Sequence, residues 1–539
     1  MTGADIMVKC LEAEGITTIF GYPGVAIVPF FESVQASGIR SILVRTEQSA
    51  AHAASGAART TGKCGVCVAT SGPGATNLLT GIATAYADSI PLIAITGQVK
   101  TDLIGRDVFQ EADVTGAAES FVKYSYLVKD AEELPRIMKE AFYIANTGRK
   151  GPVLIDVPMD VQMQEVGEFT YPESVSLRTY KPTVKGNMRQ VKRLMEEVQK
   201  AKKPVIMAGH GVVLSDARAE LVAFAEKFDI PVACTMMGID VMPSRHRLKL
   251  GMVGNNGRRY ANRAINEADL LIVLGARFAD RAVQQPSLVV KDKIFVHVDV
   301  DPAEIGKNAD AGIPIVGDIK KILQDCLAMD YPEVYRPNWI ATMDEYKRTM
   351  NYHRDPNQNY VDPEHFVVTL CEKMDDDGVY VADVGQNQIW SCRYCVIKHG
   401  RFLTSGGMGT MGYSIPAAMG VRALNPDKQV VAVCGDGSFQ MSMCELATIR
   451  QHNIPVKIAV LKNNVLGMVK EYEHYSYKDT WAMVDLSGSP DLEKIAAAYD
   501  IPFIRMFNDT DAKEQINTFL GTDGPVLMEC IIDESDLVN

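Results

Sequence analysis

The sequence has no apolar run close to the ~20 residues that a membrane-spanning helix needs. It also lacks a basic start followed by an apolar stretch. MTGADIMVKCLEAEG reads instead as an amphipathic helix, so the expected location is the cytoplasm. Positive charge is in the minority. A net charge of −12 over 539 residues argues against nucleic acid or an anionic membrane surface as partner, and leaves anionic small molecules to local arginines. The eleven cysteines are an odd number, and Cys67, Cys434 and Cys530 fall in apolar patterns, which suits reduced, buried thiols. Two C-x-x-C pairs exist, Cys64/Cys67 and Cys392/Cys395. They are far apart in sequence and make a poor zinc site. With 47% hydrophobic and 23% charged residues the chain is globular, and its length suggests three domains.

The most informative segment is Gly435-Asp436-Gly437-Ser438-Phe439, answered by Asn463-Asn464. Lys428 to Cys434 is apolar and β-branched and reads as a buried parallel strand, Gln440 to Asn453 has helical periodicity, and Val456 to Leu461 reads as a second strand. One βαβ unit thus puts Asp436 and Asn463 at the carboxyl ends of neighbouring strands, where open α/β sheets bind ligands. A carboxylate and an amide oxygen are hard ligands of the kind Mg²⁺ takes, with phosphate oxygens completing its shell. Gly435, Gly437 and the amides opening the next helix allow a diphosphate to approach. No G-x-G-x-x-G and no Lys-Ser/Thr is present at this loop, so dinucleotide fingerprints and P-loops fit worse. Two surface turns would explain each half alone, but not the pairing at this spacing.

A repeated device punctuates the chain: a polar helix end, then Ile-Pro, then an apolar strand, at Ile90-Pro91, Ile230-Pro231, Ile454-Pro455 and Ile501-Pro502. It predicts α/β structure throughout. Irregular stretches at 164–186 and 329–363 divide the chain into 1–165, 187–328 and 360–539. The first and third blocks share one plan, as GVCVATSGPGATNLLTGIATAYADSIPLIAIT and VVAVCGDGSFQMSMCELATIRQHNIPVKIAVL show. The middle block reads as Rossmann-like, with strands at Pro204–Ala208, Leu270–Leu274 and Ile294–Val300 and a loop Gly209-His210-Gly211. Ser41 to Thr46 reads as a strand with Glu47 at its carboxyl end, and a small-residue helix follows from Ser49 to Arg59. A carboxyl against that alanine-rich packing is expected to be desolvated, which raises its pKa and suits proton exchange. Taken alone, a helix-start glutamate favoured by the macrodipole explains Glu47 as well.

The Asp436 and Asn463 spacing resembles the signature of thiamine-diphosphate (ThDP) enzymes. The whole chain resembles the acetohydroxyacid (acetolactate) synthase large catalytic subunit family. Phe20-Gly21-Tyr22-Pro23-Gly24, Ser71-Gly72-Pro73-Gly74, Thr96-Gly97-Gln98-Val99, Phe109-Gln110-Glu111, Gly275-Ala276-Arg277-Phe278, Asp301-Pro302-Ala303-Glu304-Ile305, Gly409-Thr410-Met411-Gly412 and Gly467-Met468-Val469 follow its order. The resemblance implies two related ThDP-binding α/β domains, for the pyrimidine and for the diphosphate, flanking the central domain. It implies that Glu47 protonates the aminopyrimidine and that the Gly409 carbonyl accepts from its amino group. Met411 would prop the cofactor bent. Asp436, Asn463 and the Val465 carbonyl would hold Mg²⁺. Pro23, Gly24, Gly385, Gln386, Asn387, Gly435, Gly437, Ser438 and Met468 complete the implied ThDP site. FAD, without a redox role, would take Arg149, Gly209, Gly211, Thr235, Arg277 and Asp318. Gln110 and Phe109 would line the reaction chamber, Arg281 would pair with the carboxylate of the second 2-oxoacid, and Tyr472 would bear on the choice of that acid. The implied assembly is a homodimer or homotetramer with room for a small regulatory subunit.

The implied reaction joins the two-carbon unit of pyruvate to a second 2-oxoacid, giving 2-acetolactate. The chain departs from the family around the substrate channel. The family has Gly at Val25, His at Thr46, Pro at Lys100, Lys at Met159, Met-His at Asn255-Asn256, His at Asn387 and Trp at Tyr472, and it continues past the position of Asn539. A lost polar partner shifts selectivity more than a methylene does. Three alternatives therefore stand: another acceptor such as a nucleotide-linked ketosugar, a simple 2-oxoacid decarboxylase, and a non-catalytic flavin-binding paralogue.

Overall fold

The computed structural model describes residues 1–350 and 355–538. Part of the 329–363 linker and the last residue of the third block lie outside the described residues. The rest of that linker carries one helix, Pro337–Thr349, and 164–186 is irregular as expected.

Three six-stranded sheets follow one another, and every strand pair in them is parallel. In the first (Thr18–Tyr22 to Pro152–Pro158) the spatial order is second, first, third, fourth, sixth, fifth. The third sheet (Val379–Ala382 to Val526–Ile531) has the same order. The likeness of the two sequence blocks is therefore a likeness of topology. The central sheet (Pro204–Ala208 to Ile313–Val316) runs sixth, fifth, fourth, first, second, third, the doubly wound order of a Rossmann fold. Strands such as Gly65–Ala69 and Leu92–Gln98 are buried along their whole length, because helices cover both faces. Each Ile-Pro pair directly precedes a strand, at Leu92, Val232, Lys457 and Phe503.

Two boundaries differ from expectation. The second strand is Arg40–Leu43, and the next helix already starts at Glu47, with Thr46 as its N-cap. The strand ends early because the Arg45 and Thr46 amides turn away to the Glu445 carboxylate (3.0 and 3.1 Å). The helix expected from Gln440 instead begins at Asp436 and breaks into Asp436–Ser442 and Glu445–Gln451.

The first and third sheets share one buried apolar cluster, running from Ile42, Ala50 and Ala54 through Ala417 and Met419 to Val430. At its centre the Glu47–Thr61 helix crosses the Ser414–Leu424 helix at backbone distance. A Cβ on Gly56 would lie 2.2 Å from the Ala417 carbonyl oxygen, and one on Gly420 1.9 Å from that of Ala53. A buried ion pair, Arg59–Asp88 at 2.6 Å, flanks the crossing. Arg59 also donates to the Thr404 carbonyl (2.7 Å), and Asp88 accepts from the Gly407 amide (2.7 Å). Arg401 donates to the Arg59 carbonyl and pairs with Asp240 of the central unit (2.7 and 2.6 Å), so this junction ties all three units together.

Gly420→Val should lower the thermal unfolding midpoint, with a loss of about 1–3 kcal/mol or more from overpacking. Scanning calorimetry of the variant checks this, and an unchanged midpoint would show that the crossing has slack.

Candidate functional site

In a sheet ordered second, first, third, the chain reverses direction of winding between the first and third strands, and ligands bind at their carboxyl ends. In the first sheet those ends carry Pro23-Gly24 and Ser71–Gly74. A Cβ on Gly24 would come 2.5 Å from Thr70, and one on Gly72 would come 2.8 Å from the Gln110 carbonyl. The Phe109–Gln110 loop therefore lies directly on the glycine turn. Gln110 itself takes φ +60°, a conformation rarely held by a side-chain-bearing residue without a packing reason. Glu47 opens its helix beside this turn, and its Oε2 accepts from Asn77 Nδ2 at 3.0 Å. Glu47 is partly exposed in the single chain, so the expected burial against alanines is not met there. Ala50, Ala53, Ala54 and Ala57 point into the interior, while the first-turn carboxyl points outward.

The equivalent point of the third sheet carries Val384-Gly385 and Gly435-Asp436-Gly437. Asp436 is buried; its Oδ2 accepts from the Asn464 amide at 2.7 Å and its Oδ1 from the Gly437 amide at 3.0 Å. Burial, only partly offset by these hydrogen bonds, pushes its pKa up to about 6. Asn464 turns the chain with φ +58°, which asparagine tolerates. The neighbouring Asn463 presents its side-chain oxygen to the Val465 amide (3.2 Å). Gly435 caps the following helix, with Ser438 Oγ accepting from its amide at 3.1 Å. Met411 reaches to 3.5 Å from a Cβ placed on Gly437. The donors of the Asn387 side chain are taken by the Asp383 and Val433 carbonyls (3.0 and 3.1 Å). Those of Gln386 go to Glu471 and the Asp536 carbonyl (3.0 and 2.9 Å).

A cavity of about 800 Å³ lies at the switch point of the central sheet and extends to the third one. Arg149, Gly211, Thr235, Arg277, Arg281 and Asp318 line it, together with Gly385, Gly409 and Met468. Gly209 sits behind the wall, where a Cβ would come 2.3 Å from the Gly275 carbonyl. Arg149 is paired with Glu304 (3.0 Å), and Asp318 caps the Ile319–Ala328 helix. Within one chain, then, the expected FAD residues and Arg281 meet on one cavity, while Glu47, Phe109 and Gln110 are not on it. Asn77, which holds Glu47, and Thr84, which touches Thr410 at 2.7 Å, stand seven positions apart on the Pro73–Asp88 helix, about 10 Å along its axis. Tyr472 is 60% and Phe109 87% exposed. Lys100 and Met159 follow strand ends that pair with each other at Gln98 and Pro158.

Two buried carboxylates escaped the sequence reading. Asp383, at the end of its strand, accepts from the Val384, Gly412 and Ser414 amides (2.8, 2.9 and 2.7 Å) and so shapes the loop bearing Met411. Burial raises its pKa. Its position after an apolar strand, in Val381-Ala382-Asp383-Val384-Gly385, was a usable signal. Glu445 holds the Arg45 and Thr46 amides and Thr448 Oγ1 (2.6 Å), which places Glu47 from a different domain. No local pattern marks that role.

Residues 1–117, 191–326 and 383–530 match, in turn, the N-terminal TPP binding domain, the central domain and the C-terminal TPP binding domain of thiamine pyrophosphate enzymes. The chain is 43% identical over 549 residues to a probable acetolactate synthase large subunit of Methanocaldococcus jannaschii, covering 99% of this chain and 93% of that protein. It is 40% identical over 539 residues to the acetolactate synthase large subunit of Lactococcus lactis, covering 100% and 93%. It is 41% identical over 545 residues to that of Mycobacterium tuberculosis, covering 99% and 88%. The chain belongs to the acetolactate synthase large-subunit family. It is a ThDP-dependent enzyme, and its first and third sheets are the cores of the two TPP-binding domains.

Glu445→Ala removes the acceptor of two part-buried amides, a loss of about 1 kcal/mol or more in all. Hydrogen exchange across residues 44–50 should speed up and kcat should fall; unchanged exchange would show that Glu445 does not hold the Glu47 turn.

Proposed function

We propose that this enzyme decarboxylates pyruvate and joins the two-carbon unit to a second 2-oxoacid, giving 2-acetolactate when that acid is pyruvate. One observation supports it above others. Two sheets of identical order carry complementary chemistry at the carboxyl ends of their strands: the carboxyl Glu47 on one, and the oxygen ligands Asp436 and Asn463 on the other. The division into 1–165, 187–328 and 360–539 follows the three sheets.

When bound, ThDP supplies an electron sink for the pair left behind as CO₂ departs. Glu47 would hold and exchange the proton at the pyrimidine nitrogen. The Gly409 carbonyl would accept from the cofactor's amino group, and Met411 would pack against the cofactor. Gly385, Gly435, Gly437 and Ser438 would hold the diphosphate, with Pro23 and Gly24 toward the pyrimidine, while the side-chain donors of Gln386 and Asn387 are already taken by protein groups and would shape the site instead. The ion assigned to Asp436, Asn463 Oδ1 and the Val465 carbonyl is Mg²⁺, since all three are hard oxygen donors. The residues fit: Asp436 is a buried carboxylate whose elevated pKa marks a desolvated anion that a cation would compensate. Arg281, on the cavity wall, is assigned to the carboxylate of the second oxoacid, and Phe109, Gln110 and Tyr472 to the chamber.

FAD is assigned to the 800 Å³ cavity, within the size range of ligand sites. His210 and Glu304 line that cavity, and His210 Nε2 and Glu304 Oε2 are buried without a protein partner. Arg149, Gly211, Thr235, Arg277 and Asp318 line the cavity, and Gly209 packs behind its wall. FAD takes part in no step.

A second copy is assigned the task of bringing Glu47 to the Asp436 side. The spacing along one helix of Asn77, which holds Glu47, and Thr84, which touches Thr410 beside Met411, supports this. So does the exposure of Val25 (71%), Phe109 (87%) and Met483 (95%). A small regulatory partner is in keeping with relatives named large subunits. No helix among the described residues is long and apolar enough to cross a membrane.

Purified protein supplied with ThDP, Mg²⁺ and pyruvate should form acetolactate. Acetaldehyde alone would make it a decarboxylase, and CO₂ release that requires a nucleotide-linked ketosugar would make that its acceptor. Glu47→Gln should lower kcat by about 10²–10⁴-fold; an undiminished rate removes Glu47 from the mechanism. A flavin absorption spectrum tests the cavity assignment.

A further inference from the structure

Gln386 stands at the first turn of the Gln386–Tyr394 helix, hard against the start of the Gly467–Ser476 helix. Its side-chain oxygen occupies the space a Cβ on Gly467 would need, at 1.9 Å, so any larger residue there would have to push the Gln386 amide aside. Its amide is fully engaged. Nε2 donates to Glu471 Oε2 (3.0 Å) and to the Asp536 carbonyl (2.9 Å), and Oε1 accepts from Asn463 Nδ2 (3.4 Å). The two donors going to Glu471 and Asp536 fix which end of the Gln386 amide faces Asn463. With an oxygen presented to it, Asn463 offers its nitrogen there and turns Oδ1 the other way, where it also accepts from the Val465 amide (3.2 Å).

The Glu471 and Asp536 partners belong to a built structure. Ile532 continues the last strand by donating to the Lys462 carbonyl (3.0 Å), the residue before Asn463. From there the chain crosses both helix starts. Lys470 donates to the Glu534 carbonyl (3.3 Å), the Val538 amide donates to Glu471 Oε2 (2.9 Å), and Arg393 donates to the Val538 carbonyl. Gln386, Glu471 and Val538 are all buried, at 6, 3 and 3% exposure. A carboxylate shut in at that depth and accepting from two directions holds its geometry tightly.

We propose that segment 532–538 is a strap that, through Glu471 and Gln386, fixes the orientation of the Asn463 amide and so presets an oxygen at the cation site. This rests on the reading of Asp436 and Asn463 as cation ligands. Glu471 and Gln386 are positioning residues in this scheme. Partners that orient a metal ligand typically carry 10–100-fold of metal affinity.

The test is calorimetric titration of Mg²⁺ into the full-length protein at saturating ThDP, alongside melting of the protein without either. Glu471→Ala should raise the apparent Kd for Mg²⁺ about tenfold or more. Glu471→Gln keeps an acceptor oxygen for both donors and should stay within about threefold of the parent. Should Glu471→Ala fold poorly, Gln386→Met should weaken Mg²⁺ to a similar degree. The strap is overturned if Glu471→Ala or Gln386→Met leaves the Mg²⁺ Kd within about twofold, or if Glu471→Gln is as weak as Glu471→Ala. In either case the cation site stands so long as Asp436→Ala and Asn463→Ala abolish Mg²⁺ binding. If those two variants bind Mg²⁺ normally, the site reading and the strap fail together.

Discussion

Everything in this molecule depends on how closely the Glu47–Thr61 and Ser414–Leu424 helices cross. Gly56 and Gly420 allow the two backbones to meet, and the alanines around them leave no room for slippage. The helix that begins with Glu47 is thereby fixed to the domain that carries Met411 and Asp436. Both switch points are held by one contact. The Arg59–Asp88 pair locks the same junction, where a misplaced partner would leave an uncompensated buried charge.

Around this crossing the molecule uses one device repeatedly. A buried carboxylate accepts from several amides and sets the shape of a functional loop. Asp383 does so for the Met411 loop, Glu445 for the turn that presents Glu47, Asp436 for the Asn464 turn, and Glu471 for the segment over Gln386. Each exchanges hydration for main-chain hydrogen bonds, which is a stiff arrangement in a medium of low dielectric. The chemistry itself rests on few atoms, and most of the polar interior serves to aim them.

The features legible in the sequence were those written in local patterns. Apolar strands, Ile-Pro starts and glycine turns announce themselves over ten residues, so the sheets and the Asp436–Asn463 pair could be read directly. The repeated plan of the first and third blocks proved to be one shared strand order. What escaped was non-local. The strand before Glu47 ends early because Glu445, about 400 positions away, takes its amides. The burial expected for Glu47 failed because the alanine face of its helix turns inward and the first-turn carboxyl does not. Helical periodicity after Gly435 could not show that the helix starts on Asp436 itself. The roles of Gln386 and Asn387 depend on which neighbours claim their amides, and no spacing rule reveals that.

The central proposal is that one catalytic site takes Glu47 from one copy and Asp436 from another. Mixed assemblies test it most directly. Glu47→Gln and Asp436→Ala subunits, each inactive alone, would be co-expressed in equal amounts and assayed for product. If sites are shared in a dimer, half the dimers are mixed and one of their two sites is intact, so about a quarter of the parental activity should return. No recovery, with mixed dimers shown to form, would contradict a site built from two copies.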